Sequence, residues 1–174
     1  MTTLGHSLTG LAALTLCLPP RRSPLPWAAW AVFFIALANI PDWPLPFWGH
    51  RQLAVSHSLW VNLILCTGLA ALLRLGLPAA GRHPRMVICA ALAWLSHLLL
   101  DTLYGDLPGV AIYWPFSDRL ASLPLPWLGS LQHPPPPFDP AVLQTLLAEI
   151  ATFVPLVAAA FWVRRRWPPQ ADNG

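Results

Sequence analysis

The chain has 174 residues, of which 56% are hydrophobic and only 10% charged. Soluble domains of this size carry roughly a quarter charged residues, so this composition excludes an ordinary soluble enzyme and indicates an integral membrane protein. Ten basic residues, all arginine, stand against seven acids for a net charge of +3; the arginines fall in the connections between apolar segments, which argues against a nucleic-acid partner.

The N-terminus lacks a basic region before its first apolar stretch and no A-x-A site follows, so the expectation is that this segment stays in the protein. That segment covers roughly residues 4–18 and ends at Pro19-Pro20-Arg21-Arg22. The second covers roughly 26–40 and ends at Pro41-Asp42, the third roughly 57–77, the fourth roughly 85–104, and the fifth roughly 141–163, stopped by Arg164, Arg165 and Arg166. A helix needs about 20 residues to cross a bilayer, which the last three satisfy and the first two approach. The 21 prolines cluster in the connections, above all in 106–140, where they rule out helix interior. The expected fold is therefore all-α: a polytopic membrane helix bundle of about five spans with a proline-rich outer loop. A single membrane domain should occupy 1–167, with a short polar tail at 168–174. Ten tryptophans suit a protein with two water–lipid interfaces. Cys17, Cys66 and Cys89 lie singly in apolar segments without a CxxC, so they read as buried core residues, with neither a disulfide nor a cysteine zinc site expected.

With five spans, the loops after the first and third and the C-terminus share one side. They hold Arg21, Arg22, Arg82, Arg85 and Arg164 to Arg166, with Arg74 nearby, while Arg51 and Arg119 fall on the other side. The positive-inside rule makes the arginine-rich side cytoplasmic. In a bacterium the other side is the periplasm.

The ionisable residues inside the apolar segments gather on that outer side. His6 begins the first segment, Asp42 ends the second, His57 begins the third, and His97 and Asp101 end the fourth; His50 lies in the loop between the second and third. His97 and Asp101 are four apart and project from one helix face. Each has an ordinary reading as well: a local hydrogen bond for the His97–Asp101 pair, a turn role for Asp42, an interfacial position for His6, a helix cap around His57. Independent structural roles would not all choose one leaflet. Polar groups at membrane depth face a bundle interior or a wet cavity, and imidazole with carboxylate is the ligand set of zinc and related ions. Such a site can generate hydroxide near neutral pH for hydrolysis. Guanidinium matches phosphate bidentately, so Arg51 and Arg119 are candidates to hold a phosphoryl group; the competing reading is an arginine that snorkels to the headgroups. Glu149, within the fifth segment, is a further intramembrane candidate. Serine-hydrolase, Walker and dinucleotide-binding patterns are absent from the sequence.

The pieces GHSLTG, IPDW, HRQLAVSHSLW and LSHLLLDTLYGDLPGVAIYWPFSDR, in that order over most of the first 119 residues, resemble the YdjM-like family of bacterial inner-membrane proteins, described as membrane-bound metal-dependent hydrolases. That family is in turn distantly similar to zinc-dependent phospholipase C enzymes. The resemblance implies His6, Asp42, His57, His97 and Asp101 as metal ligands, with His50 as a possible addition. It also implies a phosphoester substrate by analogy of fold. Two departures stand out: position 44 is proline where the family often carries a second acid, and His50 and His57 are further apart than usual. The expectation is a hydrolase of the bacterial inner membrane, its site facing the periplasm. A divalent ion, zinc first and manganese or iron next, would activate water against a lipid or lipid-linked phosphoester. Asp42 or Asp101 would serve as general base. The rivals are a metal-binding transporter component or scaffold, and a structural His/Asp cluster.

Overall fold

The computed structural model describes residues 3–17, 26–49, 53–76, 84–105, 108–129 and 139–166. Each apolar segment forms a helix, and the prolines set the boundaries. Helix α1 spans Thr3–Cys17 and α2 spans Trp27–Asn39. Pro41 has no N–H to extend the α2 ladder, and the chain tightens there into a 3-10 turn, Ile40–Asp42. A four-residue helix α3, Leu53–Ser56, precedes α4, Leu59–Gly76, so His57 lies in a turn rather than at the start of the span. Helix α5 runs Pro84–Asp101, and α6 runs Pro140–Arg166 with Pro155 inside it. Among the described residues there are no strands, only two isolated bridges, Tyr104 with Leu125 and Val110 with Ala121. The all-α expectation holds. Helices α5 and α6 are long and apolar enough to cross a bilayer; Thr3–Cys17, Trp27–Asp42 and Leu59–Leu75 are shorter apolar helices. The tail at 168–174 lies outside the described residues.

Helix α1 is the centre of the bundle, packed on α2, α5 and α6; α2 also meets α5, and α4 rests against α5. Gly10 lets α1 and α2 approach closely, since a Cβ there would stand 2.6 Å from the Phe34 carbonyl oxygen. The main apolar core joins Leu14, Trp30, Phe34, Leu37, Met86, Ala90 and Trp94. Large side chains such as Ile64, Leu72 and Leu75 on α4 and Phe161 and Trp162 on α6 point outward, as lipid-facing surfaces do.

The bundle has two unlike ends. At one, the Arg164 guanidinium donates to the Leu16 carbonyl, and Cys17 meets Cys89 in a disulfide across a separation of 72 residues. This corrects the expectation of unpaired cysteines: all three are buried, but the antiparallel packing of α1 and α5 brings together two that no local spacing connects. At the other end lie the first turn of α1, the last turns of α2 and α5, and the turn before α4. The loop 108–129 folds over this end. Leu59 N–H donates to Ile112, the Ser58 hydroxyl to the Trp114 carbonyl, Leu123 N–H to Thr102 and Leu125 N–H to Leu103. The proline-rich loop is thereby stitched both to the His57 turn and to the chain just past Asp101.

Candidate metal centre

His6 enters from the first turn of α1, Asp42 from the 3-10 turn, His57 from the turn before α4, and His97 and Asp101 from the last turn of α5. All five meet. One ligand-type atom each from His6, Asp42, His97 and Asp101 lies within 4.8 Å of every other. His57 joins them, its Nε2 3.0 Å from Asp101 Oδ2, 3.4 Å from Asp42 Oδ1 and 3.3 Å from His97 Nε2. His97 Nε2 is 3.2 Å from Asp101 Oδ2 and 3.5 Å from Asp42 Oδ1, and His6 Nε2 is 3.3 Å from Asp101 Oδ1. The His6 and His97 rings stack with centroids 3.8 Å apart.

These separations fit a shared cation. Ligands about 2.0–2.1 Å from one tetrahedral ion lie about 3.3–3.4 Å from each other. The hydrogen-bond geometry points the same way. Both nitrogens of His6 and Asp101 Oδ1 are buried without a hydrogen-bond partner, although His6 Nε2 and Asp101 Oδ1 are in ion-pair range. Buried polar atoms are rarely left so, and atoms that converge without bonding one another are what an ion would satisfy.

Neighbouring groups orient two of the histidines. A carbonyl can only accept, so the 2.8 Å contact of His97 Nδ1 with the Ala38 carbonyl oxygen places the ring proton on Nδ1 and leaves the Nε2 lone pair facing the cluster. That carbonyl comes from the last turn of α2, where carbonyl groups lack helical partners. His57 Nδ1 lies 2.7 Å from the Ser56 hydroxyl. Burial alone would lower the His57 pKa, but its hydrogen bonds to Asp101 and Asp42 outweigh that and raise it above the ordinary histidine value. Metal ligands held by such outer bonds keep their tautomer and direction.

The cluster is enclosed on most sides. The side chains of His6 and His97 are fully buried, His57 is 5% exposed and Asp101 10%, whereas Asp42 is 18% exposed and marks the open edge. Arg119 is exposed on the loop over this end, its N–H bonded to the Ser117 hydroxyl, and its guanidinium has no ion-pair partner among the described residues. His50 and Arg51 lie outside the described residues. The profile of the YdjM inner membrane proteins matches residues 1–167. The chain belongs to the YdjM inner membrane protein family. No curated protein and no solved structure matches it. As a YdjM family member with apolar helices, it is a membrane protein whose His/Asp group can hold a metal ion.

Sequence reasoning missed the groups that hold this centre. Asn62 donates from Nδ2 to the carbonyls of Ser56 and Ser58, at 2.8 and 2.7 Å, bracketing His57, while its Oδ1 accepts from Trp94 Nε1 at 2.7 Å. Asn62 does carry a sequence signal, as a polar residue inside an apolar segment, the same signal that marks Glu149. The Ala38 carbonyl and the Trp94 indole carried no signal in the sequence.

Proposed function

We propose that the chain is a membrane-embedded metal-dependent hydrolase acting on a phosphoester of a lipid or lipid-linked substrate at the outer, periplasmic face. The observation that carries this reading is the convergence of His6, Asp42, His57, His97 and Asp101 with buried ligand atoms of His6 and Asp101 left unbonded. A divalent ion held by these residues, zinc by its preference for nitrogen and carboxylate ligands, would supply Lewis acidity and would lower the pKa of a nearby water towards neutrality.

The residues divide the remaining work. His6, His57 and His97 present nitrogens, and Asp101 faces all three with its two oxygens. Asp42, at the exposed edge, is the better placed carboxylate to take a proton from water entering the site. Arg119, on the loop folded over the site, supplies a guanidinium for a phosphoryl oxygen. The apolar core formed by Leu14, Trp30, Phe34, Met86 and Ala90 occupies the remainder of the bundle, which favours a site opened from one end over a transport path. Its depth suits a substrate whose headgroup already rests at the interface.

The test is elemental mass spectrometry of the detergent-purified protein beside a His97→Ala/Asp101→Ala double variant. Near-stoichiometric zinc, manganese or iron, lost in a variant that stays folded, is the expected result and would justify a screen of phospholipids and lipid-linked phosphates. Absence of metal from both proteins after reconstitution with divalent ions would leave the cluster as a structural tie between helices.

A further inference from the structure

Helix α6 contributes no ligand to the cluster, yet it carries, alone among the described residues, an acidic side chain buried in mid-helix, Glu149, which is wholly inaccessible. A carboxyl group at membrane depth is costly and is retained where it has a partner and a task. Its partners are specific. Oε2 accepts from the Gly5 N–H at 3.1 Å and Oε1 accepts from the Tyr104 hydroxyl at 2.9 Å. Gly5 immediately precedes His6, and Tyr104 stands three residues after Asp101. One side chain therefore ties two ligand-bearing segments to α6.

The packing leaves little freedom in this tie. A Cβ at Gly5 would fall 2.8 Å from Phe153 Cε2 and 3.3 Å from the Tyr104 hydroxyl, so glycine is what lets the first turn of α1 reach Glu149. Tyr104 is itself fully buried and packs with Leu100, Leu128 and Phe153. A carboxylate at the first turn of a helix also receives N–H groups that have no helical acceptor and complements the helix dipole.

His6 needs such an anchor more than the other histidines do. His97 is oriented by the Ala38 carbonyl and His57 by Ser56, whereas neither His6 nitrogen has a hydrogen-bond partner. Its ring is directed by the position of its backbone and by stacking on His97. We infer that Glu149, through Gly5 and Tyr104, is the positioning residue that holds His6 against Asp101 and so sets the affinity and geometry of the metal centre.

This inference rests on the metal-centre reading, and cobalt(II) tests the two separately. Full-length protein in detergent is stripped with a chelator and titrated with cobalt, following both affinity and the visible absorption of the bound ion. Glu149→Ala is expected to weaken cobalt binding about 10–100-fold and to change the absorption of the loaded site. Glu149→Gln keeps an acceptor oxygen for Gly5 and an N–H for the Tyr104 oxygen, so it should recover most of both. A merely structural glutamate would lower thermal stability while leaving affinity and absorption at wild-type values, and that result overturns the inference. If Glu149→Ala does not fold, Tyr104→Phe removes the hydroxyl bond to Glu149 and should weaken cobalt binding in the same direction by less; unchanged affinity and absorption there are equally fatal. Wild-type protein that binds no cobalt overturns the metal centre itself and the inference with it. Wild-type protein that binds, beside variants that match it, overturns the inference alone.

Discussion

His57 lies in the turn before α4 and gains a proton-dependent tie to the cluster in the metal-free protein. Its bonds to Asp101 and Asp42 raise its pKa above the ordinary 6.5. A raised histidine pKa contributes stability that is fully present below the unfolded value and is lost as pH rises through the folded value. The metal-bound protein runs the other way, because an ion competes with protons for the same nitrogens and binds more tightly as they leave. Thermal unfolding in detergent should therefore show a melting temperature that falls as pH rises above about 6.5 with chelator present. With excess zinc it should rise over the same interval. Slopes of the same sign in both conditions would mean that zinc does not occupy the His57 position. The His6 and His97 rings supply the contrast at this scale: stacked and buried, they have no exposed edge, so entry to the centre runs past Asp42.

Between elements, the tie that aims His57 is the Asn62–Trp94 pair, which joins α4 to α5 one turn before His97. Every hydrogen-bonding group of the Asn62 side chain is used: two donors on the Ser56 and Ser58 carbonyls and one acceptor for the indole. Asn62→Ala strands the indole N–H, and Trp94→Phe strands the amide oxygen, each at about 1–3 kcal/mol. The double variant removes both ends of that bond, so the two losses should fall short of additive by about 0.5–3 kcal/mol. A double-mutant cycle in reversible detergent unfolding measures this, and strict additivity would show that the pair does not couple the helices. Helix ends were readable from the sequence because Pro19, Pro26, Pro41 and Pro140 mark them. The five candidate ligands were readable because each lies near the end of an apolar segment and all at the same end of the bundle. The ties were not. Nearly every face of these helices is apolar, so no amphipathic period tells which face turns inward. Asn62 with Trp94, Gly5 with Glu149 and Cys17 with Cys89 are contacts between segments 32, 144 and 72 residues apart. Their partners emerge only once α1 is known to lie among α2, α5 and α6.

The molecule as a whole is polar along its axis: the His/Asp cluster at one end, and Arg74, Arg85 and Arg164 to Arg166 on the helix segments at the other. The span of α5 between Arg85 and Asp101 separates these ends by about 24 Å, close to the thickness of a hydrocarbon core. By the positive-inside rule the arginine-rich end is the one expected in the cytoplasm. The Cys17–Cys89 disulfide lies at that same end, and disulfides persist chiefly in oxidising compartments. The arginines carry more weight, because loop charge acts directly on insertion, whereas the two sulfurs are buried in the α1–α5 interface away from soluble thiols. Sidedness is decided by labelling a Cys17→Ser/Cys66→Ser/Cys89→Ser background with a membrane-impermeant maleimide in intact cells. Ser122→Cys, exposed on the loop over the cluster, should label in intact cells once the outer membrane is permeable. Arg166→Cys, exposed at the last residue of α6, should label only after the inner membrane is opened. The reverse pattern would put the cluster in the cytoplasm, remove lipid headgroups of the periplasmic leaflet from the substrate class, and make the disulfide rather than the arginines the better guide to topology.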